Sequence, residues 1–230
     1  MRVSNVVAVA VAAVAGSVLG APVPSASAAP CPDVEVIFAR GTGEPPGVGG
    51  VGQAFVDAVQ ADAAGKSVSV YPVNYAASGD FENRTAFAQT VIDGVRDAGD
   101  RVKATAANCP QTRMILGGYS QGAAVAGFVT AAQAPQGVPD SAVPEPLPAD
   151  VADHVAAVAL FGKPSEAWTS RYEAPAIAVG PAYAAKTTEL CAQGDTICDG
   201  TPGGNPSFAH ALYPVNGMVG DAATFAVGRL

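Results

Sequence analysis

The sequence predicts an α/β fold: a central, mostly parallel, five-stranded sheet with helices on both faces. Three observations carry that expectation. Short apolar runs rich in valine and isoleucine recur along the chain, and several are followed by segments whose apolar residues return every three or four positions. Most of the runs are close to continuously apolar instead of strictly alternating, as in strands buried on both faces. Strand-like and helical segments alternate, the order of a parallel sheet joined by helical crossovers.

Taken in order, Val34–Ala39 (VEVIFA) reads as the first strand and ends at 40-RGTGEPPG-47, a loop by its glycines and prolines. Residues 48–63 read as a helix with Val51, Phe55, Val59 and Ala63 on one face. Residues 67–73 (SVSVYPV) form the second expected strand. Residues 85–107 read as a long amphipathic helix with Phe87, Val91, Val95 and Val102 on nearly one face. Arg113–Tyr119 (RMILGGY) is the third strand, and the alanine-rich 121–132 a helix. Five prolines within 133–148 mark an exposed connection, not a domain linker, because the alternation resumes at 154–161 (HVAAVALF), the fourth strand. A weaker fifth strand is expected at 175–179 or at 185–190, followed by short helical stretches over 207–230.

The first residues are set apart from this fold. Arg2, an uncharged run over 6–19 and 24-PSASAAP-30 have the layout of an export signal, with Ala26-Ser27-Ala28 at the cleavage position. Residues 1–28 are therefore expected to be a leader cut after Ala28 or Ala29, leaving 29–230 as a single domain. The apolar run is short for a membrane span, so no stable span is expected after cleavage. Export favours disulfides among the four cysteines, which allow three connectivities. Cys191 and Cys198 are close enough to pair locally, which leaves Cys31 with Cys109. A metal site is disfavoured, since no C-x-x-C occurs and the chain has only two histidines. A net charge of −8 with no basic cluster argues against a nucleic-acid partner.

In a parallel sheet the ligand site lies at the carboxyl ends of the strands. There the third strand runs into 118-GYSQG-122, a G-x-S-x-G that opens a helix. Ser120 is thus a candidate nucleophile on a sharp strand-to-helix turn. A serine hydroxyl needs a base. His154 opens the fourth strand, at the wrong end of the sheet, so His210 is preferred. The base in turn needs a carboxylate between the two in the chain. Asp140, Glu145 and Asp150 belong to the proline-rich connection or its edge, and Asp153 precedes the fourth strand. Glu166, Glu173, Glu189, Asp195 and Asp199 remain. Asp195 is preferred because it stands within the cysteine pair of 191-CAQGDTIC-198, where a local bridge would hold a catalytic acid firmly. An oxyanion would need backbone donors: Gln121, after the nucleophile, and Thr42 in the loop after the first strand.

Together, 31-CPDVEVIFARGTGE-44, 115-ILGGYSQGAAV-125, 158-VALFGKP-164, 191-CAQGDTIC-198 and 207-SFAHALYP-214 resemble the cutinase family of secreted serine esterases, in its mycobacterial cutinase-like branch. The resemblance implies a lidless α/β-hydrolase, a three-layer sandwich. It implies Ser120, Asp195 and His210 as triad, Thr42 and Gln121 as oxyanion hole, and the pairs Cys31–Cys109 and Cys191–Cys198. Asn83 is offered as the residue orienting the oxyanion-hole hydroxyl. The expected protein is a secreted monomer, with possible cell-envelope association, that needs no cofactor and no metal. It hydrolyses short- to medium-chain acyl esters, its partner being an ester or lipid substrate. The alternatives are a phospholipase or acyltransferase acting on cell-envelope lipids, or a non-catalytic secreted protein on the same fold.

Overall fold

Five strands build the sheet: β1 (Val34–Ala39), β2 (Val68–Pro72), β3 (Arg113–Tyr119), β4 (Val155–Phe161) and β5 (Thr187–Leu190). They run parallel in the order β2-β1-β3-β4-β5. The computed structural model describes residues 30–135, 138, 142–202 and 205–230; the expected leader at 1–28 and its cleavage position lie outside them, as does Asp140. The helices are α1 (Gly49–Asp62), α2 (Arg84–Asn108), α3 (Gln121–Val129), α4 (Ala149–Ala152), α5 (Glu166–Thr169), α6 (Pro181–Ala184) and α7 (Met218–Val227). Among the described residues no helix is long and apolar enough to cross a membrane.

Strand pleat sorts the core into two layers. Val34, Val36 and Phe38 of β1 face α1 and α7, with Phe55, Val59 and Ala223. Ile37 and Ala39 face α2 and α3, with Val102 and Val125. Glu35 is the exception in this all-buried strand. Its carboxylate is paired with Arg101 of α2 and accepts the Thr105 hydroxyl at 2.6 Å, the pairing a buried charge requires.

Two expectations need correction, and one left open is resolved. Helix α3 stops at Val129, three residues early, because the Thr130 hydroxyl turns back onto the Gly127 carbonyl at 2.8 Å and the Thr130 carbonyl is taken by the Gly180 N–H. The fifth strand is the later of the two candidates; residues 175–179 run past α3 without joining the sheet. On α2, Val95 and Val102 are buried as expected, but Phe87 and Val91 are only half-buried and line a cleft.

The strand order reverses direction between β1 and β3. Connections from β1 lead outward to β2, and those from β3 lead the other way, so their loops part above the carboxyl ends of these two strands. That switch point is where open parallel sheets bind ligands, and Thr42 and Ser120 stand on its two sides.

Candidate active site

Ser120 follows β3 and caps the start of α3 with φ 56° and ψ −116°. A non-glycine residue there carries strain of about 1–3 kcal/mol, which the surroundings must hold. The Ser120 N–H donates to the Phe161 carbonyl at 2.9 Å, fixing the turn to β4. The flanking glycines make the turn possible: a Cβ on Gly118 would collide with the Gly122 carbonyl, and one on Gly122 with the Ala39 carbonyl. Helix α3 therefore starts pressed against the end of β1, with its unpaired N–H groups beside the serine.

His210 sits on a single 3-10 turn, Phe208–Ala211. Its ring stacks on Tyr119 at a centroid distance of 4.9 Å, and its carbonyl accepts the Tyr119 hydroxyl at 2.7 Å. The residue just before Ser120 thus holds both the face and the backbone of the histidine. Nδ1 of His210 lies 2.8 Å from Oδ2 of Asp195, which is fully buried.

Asp195 has two further donors. The Ile197 N–H reaches Oδ1 at 3.1 Å, and the Tyr213 hydroxyl reaches Oδ2 at 2.6 Å. The Ala192 N–H donates to that hydroxyl at 3.1 Å, which leaves the tyrosine proton for the carboxylate. Burial pushes the Asp195 carboxyl up, but the hydrogen bonds from His210, Tyr213 and Ile197 outweigh it and hold it below the ordinary 3.8. The carboxylate is thereby kept ionised beside the imidazole. The Cys191–Cys198 disulfide closes the same loop. Both sulfurs near Asp195 are committed to each other, so neither is a thiolate ligand. Gly162, with φ +56°, leaves room for the pair: a Cβ there would lie 2.8 Å from His210 Cε1 and 3.1 Å from Asp195 Oδ2.

Across the switch point, the loop after β1 is held by charge. The buried Arg40 guanidinium donates to the Glu44 carbonyl at 2.8 Å and the Tyr75 carbonyl at 2.6 Å, and lies over the Tyr75 ring. The Glu44 carboxylate accepts the N–H groups of Gly41 at 2.6 Å and of Gly50, at the start of α1, at 2.7 Å. Gly43 donates to the carbonyl of Ala77, another non-glycine residue with positive φ, at 2.8 Å. Thr42 is caught between these fixed neighbours. Thr42, Ser120, Gln121 and His210 all line one cleft of about 900 Å³.

The model of the cutinase family matches residues 30–230. The chain belongs to the cutinase family. A relative named "Probable carboxylesterase Culp7" from Mycobacterium tuberculosis is 58% identical over 165 residues, 72% of this chain and 86% of that protein. "Phospholipase Culp4" of the same organism is 45% identical over 229 residues, 100% of this chain and 92% of the relative. Among solved structures, Trichoderma reesei cutinase in complex with a phosphonate inhibitor superposes with a TM-score of 0.62 at 31% identity, covering 86% of this chain and 77% of that one. As a cutinase-family member the chain is a carboxylic ester hydrolase.

In this member of the cutinase family, the expected Ser120, Gln121, Thr42 and His210 meet at one cleft, and Asp195 meets His210 behind it. Both cysteine pairs are joined as expected. His154 stands before β4, at the opposite end of the sheet from the cleft. Three of the other candidate carboxylates beyond β4 have different partners: Glu173 pairs with Arg84, Glu189 with Lys163, and Asp199 takes the Thr201 N–H; Glu166 lies in the first turn of α5. Asn83 differs from its expected role. Its side-chain oxygen accepts the Ala86 N–H at 3.1 Å, which caps α2. The proline-rich connection is more than an exposed crossing, since Pro135, Val138, Val143, Pro144 and Pro146 form part of the cleft wall. Sequence reasoning missed Arg40, Tyr75, Gly162 and Tyr213. Arg40, Gly162 and Tyr213 all sat in quoted segments, but nothing in those segments singled out their roles; Tyr75 sat in none.

Proposed function

We propose that this cutinase-family hydrolase is an exported serine esterase in which Ser120, His210 and Asp195 act as a triad. His210 takes the Ser120 proton as the hydroxyl attacks the ester carbonyl. The N–H groups of Thr42 and Gln121 hold the oxyanion, and the start of α3 favours the same charge. His210 then hands the proton to the leaving alcohol, and water repeats the sequence on the acyl-enzyme. Asp195 stays ionised throughout and steadies the imidazolium. The observation that carries this reading is the 2.8 Å His210–Asp195 contact beside a cleft lined by a strained Ser120. Export is supported by two disulfides, which persist in oxidising surroundings. The full-length similarity to a relative named phospholipase makes lipid esters a reasonable second substrate class.

The test is turnover of p-nitrophenyl butyrate, with fluorophosphonate labelling of the same protein. Ser120→Ala is expected to abolish labelling and lower kcat by at least about a thousandfold. Equal turnover by the two proteins ends the proposal.

A further inference from the structure

Thr42 and Gln121 belong to different elements, one in the loop after β1 and the other at the start of α3. To hold one oxyanion together, their N–H groups must stand at a fixed separation. Asn83, offered for orienting Thr42, is turned instead onto the start of α2. The two donors are spanned by another segment, residues 77–79, in the connection from β2 to α2. The Ala77 carbonyl accepts the N–H of Gly43, next to Thr42, at 2.8 Å. The Ser78 carbonyl accepts the side-chain Nε2 of Gln121 at 3.0 Å. A Cβ on Gly79 would lie 3.3 Å from the Thr42 methyl, so the Gly79 backbone is packed closely against that side chain.

Two unfavourable features converge on this segment. The Gln121 side chain is buried, and while its Nε2 is bonded to Ser78, its Oε1 has no hydrogen-bond partner among the described residues. A buried amide oxygen without a donor is destabilising, and an apolar side chain of similar size would avoid it. What the amide adds at this position is the bond to Ser78. Ala77 is fully buried at φ 49°, a conformation that disfavours any residue with a Cβ. The bend presents two successive carbonyls to two different elements, Gly43 beyond β1 and Gln121 of α3. Both features are accounted for if the segment sets a distance.

We propose that residues 77–79 are a strap between the two oxyanion donors, and that the Gln121 side chain is a positioning residue. By holding the Ser78 carbonyl, it fixes Thr42 at the separation from its own N–H that the oxyanion requires. The proposal deepens the esterase reading and rests on Thr42 and Gln121 as the donors. Gln121 then serves twice: its backbone meets the oxyanion, and its side chain places the other donor. Arg40 and Glu44 hold the Thr42 loop from the side of β1 and α1, so without the strap the loop is fixed on one side only. Donors must be held within a fraction of an ångström to act in the transition state, and such precision comes from the residues behind them.

The test compares p-nitrophenyl butyrate with its thionoester, in which C=S replaces C=O. Sulfur accepts hydrogen bonds weakly. The ester-to-thionoester ratio of kcat therefore reads the oxyanion donors and is indifferent to the fraction of protein folded. Outright loss of one donor lowers kcat roughly a hundred- to a thousandfold, and displacing one is expected to do less. Gln121→Leu keeps both backbone donors. It is expected to lower kcat on the ester at least tenfold with KM within twofold, and to lower the ratio at least fivefold. Gly79→Ala sets a methyl against Thr42 and is expected to lower the ratio at least twofold, a second reading if Gln121→Leu yields little folded protein. That methyl can push Thr42 only while Gln121 backs the segment, so Gly79→Ala is expected to change nothing further in the Gln121→Leu background. Effects that simply multiply overturn the strap. So does a ratio unmoved in Gln121→Leu while the ester is still cleaved, a result that leaves the esterase standing. A wild type that matches Ser120→Ala on both compounds overturns the esterase reading, and the strap's role with it.

Discussion

The two ends of the sheet are built differently. At the amino ends, Cys31 before β1 is joined to Cys109 after α2, and Glu35 is paired inside with Arg101. No described non-glycine residue there has a positive φ. At the carboxyl ends stand all three described non-glycine residues with positive φ: Ala77, Ser120 and Glu173. The buried polar residues Arg40, Ser120, Gln121, Asp195 and His210 gather at the same end. Each end also has a disulfide, but one closes 78 residues and the other seven. The difference separates holding a fold together from holding a site in position, and it can be broken one end at a time.

The largest stability effect belongs to the amino end. Closing the long loop constrains the unfolded chain by about 4.5 kcal/mol. Cys31→Ser/Cys109→Ser is expected to lose roughly that in urea unfolding, while kcat of the folded fraction stays within twofold. A kcat that falls in step with stability would show that this bridge also serves the site. The short bridge is expected to rank the other way. Its loop closure contributes only about 2.5 kcal/mol, but it frames the loop that carries Asp195. Cys191→Ser/Cys198→Ser should lose less stability than the first pair and at least tenfold in kcat. If kcat is kept while the Tm drops, the bridge is structural and the contrast between the two ends dissolves.

Legibility in the sequence follows the same division. The bounds of β1 and β3 come out as read, because both strands are buried on both faces and their runs are apolar but for Glu35 in β1 and Arg113 at the start of β3. The strand β5 was ambiguous since TTEL is a half-exposed edge strand with no such run. Helices α4, α5 and α6 are single turns, too short to show a period. At the site, Ser120, His210 and Asp195 could be found because chain order and residue chemistry restrict them. Arg40 could not: an arginine after a strand reads as solvent-facing, and only the fold brings the Tyr75 ring beneath it. Phe87 and Val91 misled for a related reason, since periodicity shows an apolar face and not what lies opposite it.

Tyr213 gives the smallest expected effect on stability and the sharpest probe of how Asp195 is held. It is fully buried and donates to the same carboxylate oxygen that faces His210 Nδ1. Tyr213→Phe removes that donor and also the acceptor of the Ala192 N–H, at a cost of about 1–2 kcal/mol. Part of this loss depends on pH, and its sign is fixed. Asp195 is held below 3.8 in the folded protein, so its ionisation stabilises the fold above that value and stops doing so as pH falls through the lowered one. Without Tyr213 the carboxyl is lowered less, so the stability gap between wild type and Tyr213→Phe is full at pH 7 and narrows below about pH 4. Urea unfolding at pH 7, 5 and 3.5 reads this directly. A structural loss of packing would leave the gap constant. A gap independent of pH would reduce Tyr213 to a filler of the core behind His210.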